Sequence, residues 1–289
     1  MRFDANISIL FPDVPLLGRP AAAAAAGFDA VEMWWPFRVP VPAPHEVDEL
    51  VEAFDAAGVH LVLLNLDLGD TAAGHHGLLC RPEERSRFVD NVDATAELVR
   101  RLDGTIVNSH FGVPPADVAR EALEDTVIAS LAIAAHRVAA AGALLVLEPL
   151  NPTDFPRYGL TRVEDAVMLT RRATNAAGTA VRILFDLYHV QRAQGDLIAR
   201  IRAYAPDIGH VQVADAPDRG RPGTGEIAVS RVLDELERVG YGGYVGLEYR
   251  PSADSADTFS WLDPADRRSG RSPSRPDSHG PRVMHELAS

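Results

Sequence analysis

Lysine is absent from this 289-residue chain, so all 28 of its basic residues are arginine. Schiff-base chemistry needs a lysine amine as nucleophile, and that whole class of barrel chemistry is excluded. Cysteine occurs once, at Cys80, which rules out an internal disulfide. No apolar run approaches the roughly 20 residues of a membrane span, and the opening MRFDANIS lacks the basic and apolar regions of a signal peptide. A cytoplasmic location is the expectation. Positive charge is also short, with 41 acids giving a net charge of -13. Nucleic-acid binding needs a concentrated basic face, so neither nucleic acid nor membrane is expected as a partner. There is no GxSxG elbow, no P-loop and no GxGxxG turn opening a helix. Acid/base chemistry assisted by a metal is what these absences leave.

What is present is a regular alternation of short apolar runs and helical segments. Strands are predicted at 3–10, 29–34, 59–65, 105–111, 143–148, 182–186, 208–213 and 244–248. Helices are predicted from Pro15 to Ala26, at 44–57, 82–102 and 116–141, and near 161–176, 193–204 and 227–239. Gly27, Gly58 and Gly142 stop three of them. A (β/α)8 barrel takes roughly 250 residues, so an α/β fold with one such barrel over 1–262 is expected. From Asp263 to Ser289 the chain turns Arg, Ser, Pro and Gly rich without apolar periodicity, and a disordered C-terminal tail is predicted there.

Four polar residues each close an apolar run in the second half: Glu148 after LLVL, Asp186 after RILF, Gln212 in GHVQV, and Glu248 after YVGL. A charged group at the end of a buried strand is costly to desolvate unless something neutralises it. A cation would do so for all four together. In a parallel barrel these positions fall on the C-terminal face, where active sites form. Three carboxylates and an amide oxygen make a hard donor set, suited to Mg²⁺ or Mn²⁺. The alternative is a set of buried ion pairs, for which three acids would need arginine partners at the same end.

The segments GFDAVEMWWPF, NLDLGDTAAGHHGL, LEPLNPTDFPRYGL, FDLYHVQ, HVQVADAPDRGRPGTGEI and GYVGLEYRP occur in order along a stretch of similarity from about Arg2 to Leu262. Together they resemble the hydroxypyruvate isomerase family within the xylose-isomerase-like TIM barrels. The resemblance implies that Glu148, Asp186, Gln212 and Glu248 bind one divalent metal and that Glu148 and Glu248 form the acid/base pair. It implies aldose-ketose type isomerisation of a small hydroxy-keto acid: hydroxypyruvate to 2-hydroxy-3-oxopropanoate, or a 2-oxo-tetronate. Related 3-epimerases and inosose dehydratases usually carry histidine where Gln212 stands, which makes them the second reading. A sugar-acid binding protein that keeps the fold is the non-enzymatic one.

Two loops depart from the family pattern. Asn151, Pro152, Thr153 and Asp154 stand where the family usually reads NTRD, and Ala73, Gly74, His75, His76 and Gly77 where it usually reads AGERG. For a substrate carboxylate, Arg219 and Arg250 are the candidate anchors, each alternatively a surface ion pair. His189, one helical turn past Asp186, and His110, closing TIVNSH, are candidate substrate-facing groups. Asn65 and Asp70 are read as organising their own loop, Glu32, Trp34 and Trp35 as packing at the mouth, and His75 and His76 as solvated. A homo-oligomer stays open.

Overall fold

In a computed structural model, the chain is described over residues 1–116, 118, 120–251 and 258–268. Eight strands close a parallel barrel in sequential order: β1 Arg2–Asn6, β2 Ala30–Met33, β3 His60–Asn65, β4 Ile106–His110, β5 Leu144–Glu148, β6 Val181–Asp186, β7 Ile208–Val213 and β8 Tyr244–Leu247. The helices are α1 Arg19–Ala25, α2 Pro44–Ala57, α3 Arg85–Arg101, α4 Arg120–Ala140, α5 Val163–Ala177, α6 Leu187–Ala193, α7 Leu197–Tyr204 and α8 Val229–Arg238. The expected barrel is the observed one.

Strand parity decides what each face does. Alternate residues point into the barrel and out toward the helices. Leu144 and Val146 join Ala30, Val62, Leu63, Ile106, Leu184 and Tyr244 in the small inner cluster, while Leu145, Leu147, Ile183 and Phe185 belong to the larger cluster beneath the helices. Continuing the inward parity of β5 and β6 brings Glu148 and Asp186 to the inner mouth. Register aligns them with their neighbours: His110 pairs with Glu148, Asp186 with Gln212, and Gln212 with Gly246.

Local chemistry sets most boundaries. Pro44 opens α2, where its missing N–H costs nothing, and Gly58 ends it in the left-handed region at φ 66°. Several boundaries differ from the sequence reading: β1 ends at Asn6 rather than at 10, and α7 begins at Leu197 rather than near 193. The segment from Pro15 begins as a 3-10 turn at Leu16–Gly18 before α1, because Pro20 takes its place in the helix's first turn. The short α6 was not expected. It starts directly on Asp186, whose carboxylate accepts from the Tyr188 and His189 N–H groups as an N-cap.

Order also continues past Leu262, which corrects the expected start of the tail at 263. The Asp263 carboxylate accepts from the Ala265 N–H, Pro264–Arg267 forms a 3-10 turn, and Arg267 donates to the carbonyls of Ala26, Phe259 and Leu262. The remainder of the predicted tail, 269–289, lies outside the described residues. No helix among the described residues is long and apolar enough to cross a membrane.

Candidate active site

The C-terminal mouth of the barrel holds a cavity of about 160 Å³ lined by polar groups Glu148, Glu248, His110, His189 and Arg219 and closed on its sides by apolar ones such as Leu150 and Phe155. Five of the sequence candidates therefore meet in one place. Asp186 and Gln212 sit just behind, at 1% exposure each. Arg250 does not join them. Its side chain is exposed, and its backbone N–H donates to the Arg219 carbonyl at 2.8 Å. Alternation alone would turn Arg250 the same way as Glu248, but β8 ends at Leu247, and by Arg250 the chain has left the strand that holds that parity.

Glu148 is held from one side. Asn108 donates to its Oε2 at 2.8 Å and His110 lies 3.2 Å from the same oxygen. Burial pushes this carboxyl up, but the His110 hydrogen bond, with His189 and Asn108 behind it, outweighs burial and holds it at about 2. Glu148, Asp186 and His189 present ligand atoms within 4.8 Å of one another, a group that could hold a metal ion.

His189 has its tautomer fixed. The backbone N–H and the side-chain amide of Asn151 both donate to Nδ1, at 3.2 and 2.8 Å, so the proton of the neutral ring sits on Nε2. Burial, then the Arg219 charge, push its pKa down to about 3. Nε2 lies 4.0 Å from Glu148 Oε1 and 3.8 Å from Asp186 Oδ2.

Glu248 is gripped by three donors. Trp34 Nε1 donates to Oε1 at 2.6 Å, Asn6 Nδ2 to the same oxygen at 3.1 Å, and Arg219 Nη2 to Oε2 at 2.7 Å. Arg219 Nη2 is also 3.9 Å from Asp186 Oδ2, and its guanidinium lies over the Tyr188 ring at 5.5 Å. Arg219 comes from the β7–α8 loop at φ 57°. That loop is wound around Asp215, whose carboxylate accepts from the Gly223, Gly225 and Ile227 N–H groups at 2.9, 2.9 and 3.0 Å.

The balance of charge favours a cation. Burial raises the Glu248 carboxyl well above its ordinary range, against the pull of Arg219, and raises Asp186 to about 7, with Glu148 adding to both. Two buried acceptors, Asp186 Oδ2 and Gln212 Oε1, have no hydrogen-bond partner among the described residues. Unpaired buried oxygens beside crowded carboxylates are what a hard dication would satisfy. The residues present fit such an ion.

Several residues of the site carry only structural or solvated roles in the sequence reading. Asn65 does not organise its own loop: it lines the cavity and accepts from Asn108 at 3.1 Å, bracing the residue that holds Glu148. Trp34 packs at the mouth but also donates to Glu248, and Glu32 lies deeper, fully buried. His76, read as solvated, lines the cavity against the Phe155 ring. Asp70 does serve its loop, accepting from the Ala73 N–H. Asn6, Glu32, Asn65 and Asn108 lie at or near the C-terminal ends of β1 to β4. The strand-end polarity that revealed the second half of the chain was thus available in the first.

Known proteins align with this geometry. The family model described as xylose isomerase-like TIM barrel matches residues 20–265. A Streptomyces coelicolor relative is 46% identical over 279 residues, covering 93% of this chain and 98% of its own. The chain belongs to the hydroxypyruvate isomerase family of xylose isomerase-like TIM barrels. The Escherichia coli protein named hydroxypyruvate isomerase is 34% identical over 264 residues, with 91% of this chain and 99% of that one covered. The Cupriavidus necator protein named 2-oxo-tetronate isomerase is 34% identical over 263 residues, at 91% and 98% coverage. Among solved structures, one titled AP endonuclease, family 2 from Brucella melitensis superimposes with a TM-score of 0.82 at 33% identity, covering 90% and 97%. Membership makes the chain an enzyme of isomerase type.

Proposed function

We propose that this enzyme interconverts a small 2-keto-3-hydroxy acid and its aldehyde isomer, with hydroxypyruvate and 2-hydroxy-3-oxopropanoate as the pair. The observation that carries the reading is the convergence of two glutamates, Glu148 and Glu248, on one cavity that also holds Arg219, His189 and His110. Glu148, Asp186, Gln212 and Glu248 would hold one Mg²⁺ or Mn²⁺. Such an ion acts as a Lewis acid that acidifies the C–H beside a carbonyl.

The chain's own groups supply the rest. One glutamate takes a proton from C3 of hydroxypyruvate, leaving an enediolate across C2 and C3, and the other returns a proton to C2. The hydroxyl hydrogen passes from O3 to O2, so the product is an isomer with no net gain or loss of atoms. His189, with its proton on Nε2, donates to a substrate oxygen. Arg219 offers a planar donor pair to the substrate carboxylate. Trp34, Leu68, Leu150 and Phe155 line the cavity and limit water around the enediolate. The 2-oxo-tetronate isomerase reading is kept because the Cupriavidus necator relative matches as closely as the Escherichia coli one.

The test is proton NMR in D₂O with enzyme, Mn²⁺ and a panel of hydroxypyruvate, 2-oxo-tetronates and free ketoses. Deuterium should enter next to the carbonyl of a keto acid, and Glu148→Gln or Glu248→Gln should slow exchange by roughly 10²–10⁴-fold. An active exchange on free ketoses alone would favour the epimerase reading, and no exchange with any compound would favour a binding protein.

A further inference from the structure

Beneath the cavity, Glu32 of β2 reaches across the barrel interior to β7. It is fully buried, and its Oε1 accepts from Gln212 Nε2 at 2.7 Å and from Asn6 Nδ2 at 2.9 Å. His210 Nε2 lies 2.8 Å from its Oε2, and the Asp4 carboxyl completes the cluster. A carboxylate can only accept hydrogen bonds, whereas an amide presents a donor on one side and an acceptor on the other. The side of Gln212 that faces Glu32 must therefore be its NH₂, and Oε1 is left facing away from Glu32 without a hydrogen-bond partner among the described residues. We infer that Glu32 is a positioning residue, which turns the Gln212 amide so that oxygen rather than NH₂ is offered to the divalent cation.

Three observations converge on this role. Asn6 is oriented independently, because its Oδ1 accepts from the Ser8 and Ile9 N–H groups; Glu32 therefore acts on Gln212 rather than on Glu248 through Asn6. His210 secures the far oxygen of Glu32 and so fixes the near one. Room for the carboxylate is made by Gly246, the β8 residue paired with both Gln212 and Asp4: a Cβ there would sit 2.4 Å from Glu32 Oε2 and 2.9 Å from Oε1. An amide ligand needs such a partner in a way a carboxylate ligand does not, since a carboxylate offers oxygen whichever way it turns.

The inference rests on the cation reading of the site, and Mn²⁺ titration by calorimetry and electron paramagnetic resonance separates the two. Wild type should bind one Mn²⁺; if it binds none, the cation reading and this role fall together. Given binding, Glu32→Met, which removes the acceptor at similar volume, should weaken Mn²⁺ roughly 10–100-fold. Glu32→Gln can still turn an oxygen to Gln212 and should stay within a few-fold. In a Gln212→Ala background, Glu32→Met should cost little more, because the group it positions is gone. Gly246→Ala, which removes no polar group, should weaken Mn²⁺ in the same direction and keeps the test alive if Glu32→Met does not fold. Wild-type affinity in Glu32→Met, or a loss that adds in full to that of Gln212→Ala, would overturn the assignment while leaving the cation site standing.

Discussion

Trp34→Phe isolates one hydrogen bond at Glu248, a carboxylate proposed to move the proton. The ring's bulk at the mouth is kept and only the indole N–H, 2.6 Å from Glu248 Oε1, is lost. A hydrogen bond to an ionised group contributes about 1.5–3 kcal/mol. Trp34 is 37% exposed, so water can replace part of the donor, and about 1–2 kcal/mol is the reasonable loss. Glu248 keeps Asn6 and Arg219, which limits its movement without replacing the missing donor. If the bond counts fully in the transition state, the rate falls roughly 5- to 30-fold. The assay is deuterium exchange into the keto acid, with melting temperature as the folding control. An unchanged rate at unchanged stability would show that the indole N–H does nothing for Glu248 in turnover, and the role of Glu248 in proton transfer would have to be reargued.

Gly225→Ala places a Cβ 1.8 Å from the Ala216 carbonyl oxygen and 2.7 Å from Asp215 Oδ1, so the loop carrying Arg219 must move. A displacement of about 1 Å at a substrate-positioning group costs on the order of 10²-fold, and kcat/KM should drop by at least roughly tenfold with a raised KM; steady-state kinetics that match wild type would contradict the anchoring role given to Arg219. On the outer wall, Arg202 holds Glu235 with two hydrogen bonds of 2.9 Å, and these, with Arg238, lower its carboxyl to about 2 against an ordinary 4.5. Because the folded value is the lower one, this pairing stabilises above pH 4.5 and is lost as pH falls toward about 2. The melting-temperature gap between wild type and Glu235→Gln should accordingly close over that window, and a gap that persists at pH 2 would mean the contact is not ionic.

The barrel was legible because its two periods are clean: apolar runs of strand length alternate with helical segments, and glycines mark several of the stops. The four strand-end residues were legible for the same reason, since a charged or amide group after a buried run is conspicuous. What escaped the sequence reading depended on distance in the chain. Trp34 meets Glu248 across 214 residues, and Glu32 meets Gln212 across 180; no local pattern joins them. The α6 helix escaped because its first residues, Leu187 to Val190, are buried all round, which leaves no amphipathic period to read. Arg250 misled because nearness in sequence to Glu248 says nothing about side-chain direction. Asn65 and Asn108 were readable in principle, but asparagine near a strand end usually signals a turn, and that reading prevailed for Asn65.

Because Asp186 both closes β6 and caps α6, strand and helix meet there without a linking residue. A segment with no slack cannot swing, so His189, three residues on, inherits the stiffness of the barrel. Arg219, by contrast, lies within the loop between β7 and α8, away from either element's end. The Asp186–His189 corner is thus the rigid part of the mouth, and a change of shape on ligand binding is expected in the β7–α8 loop rather than there.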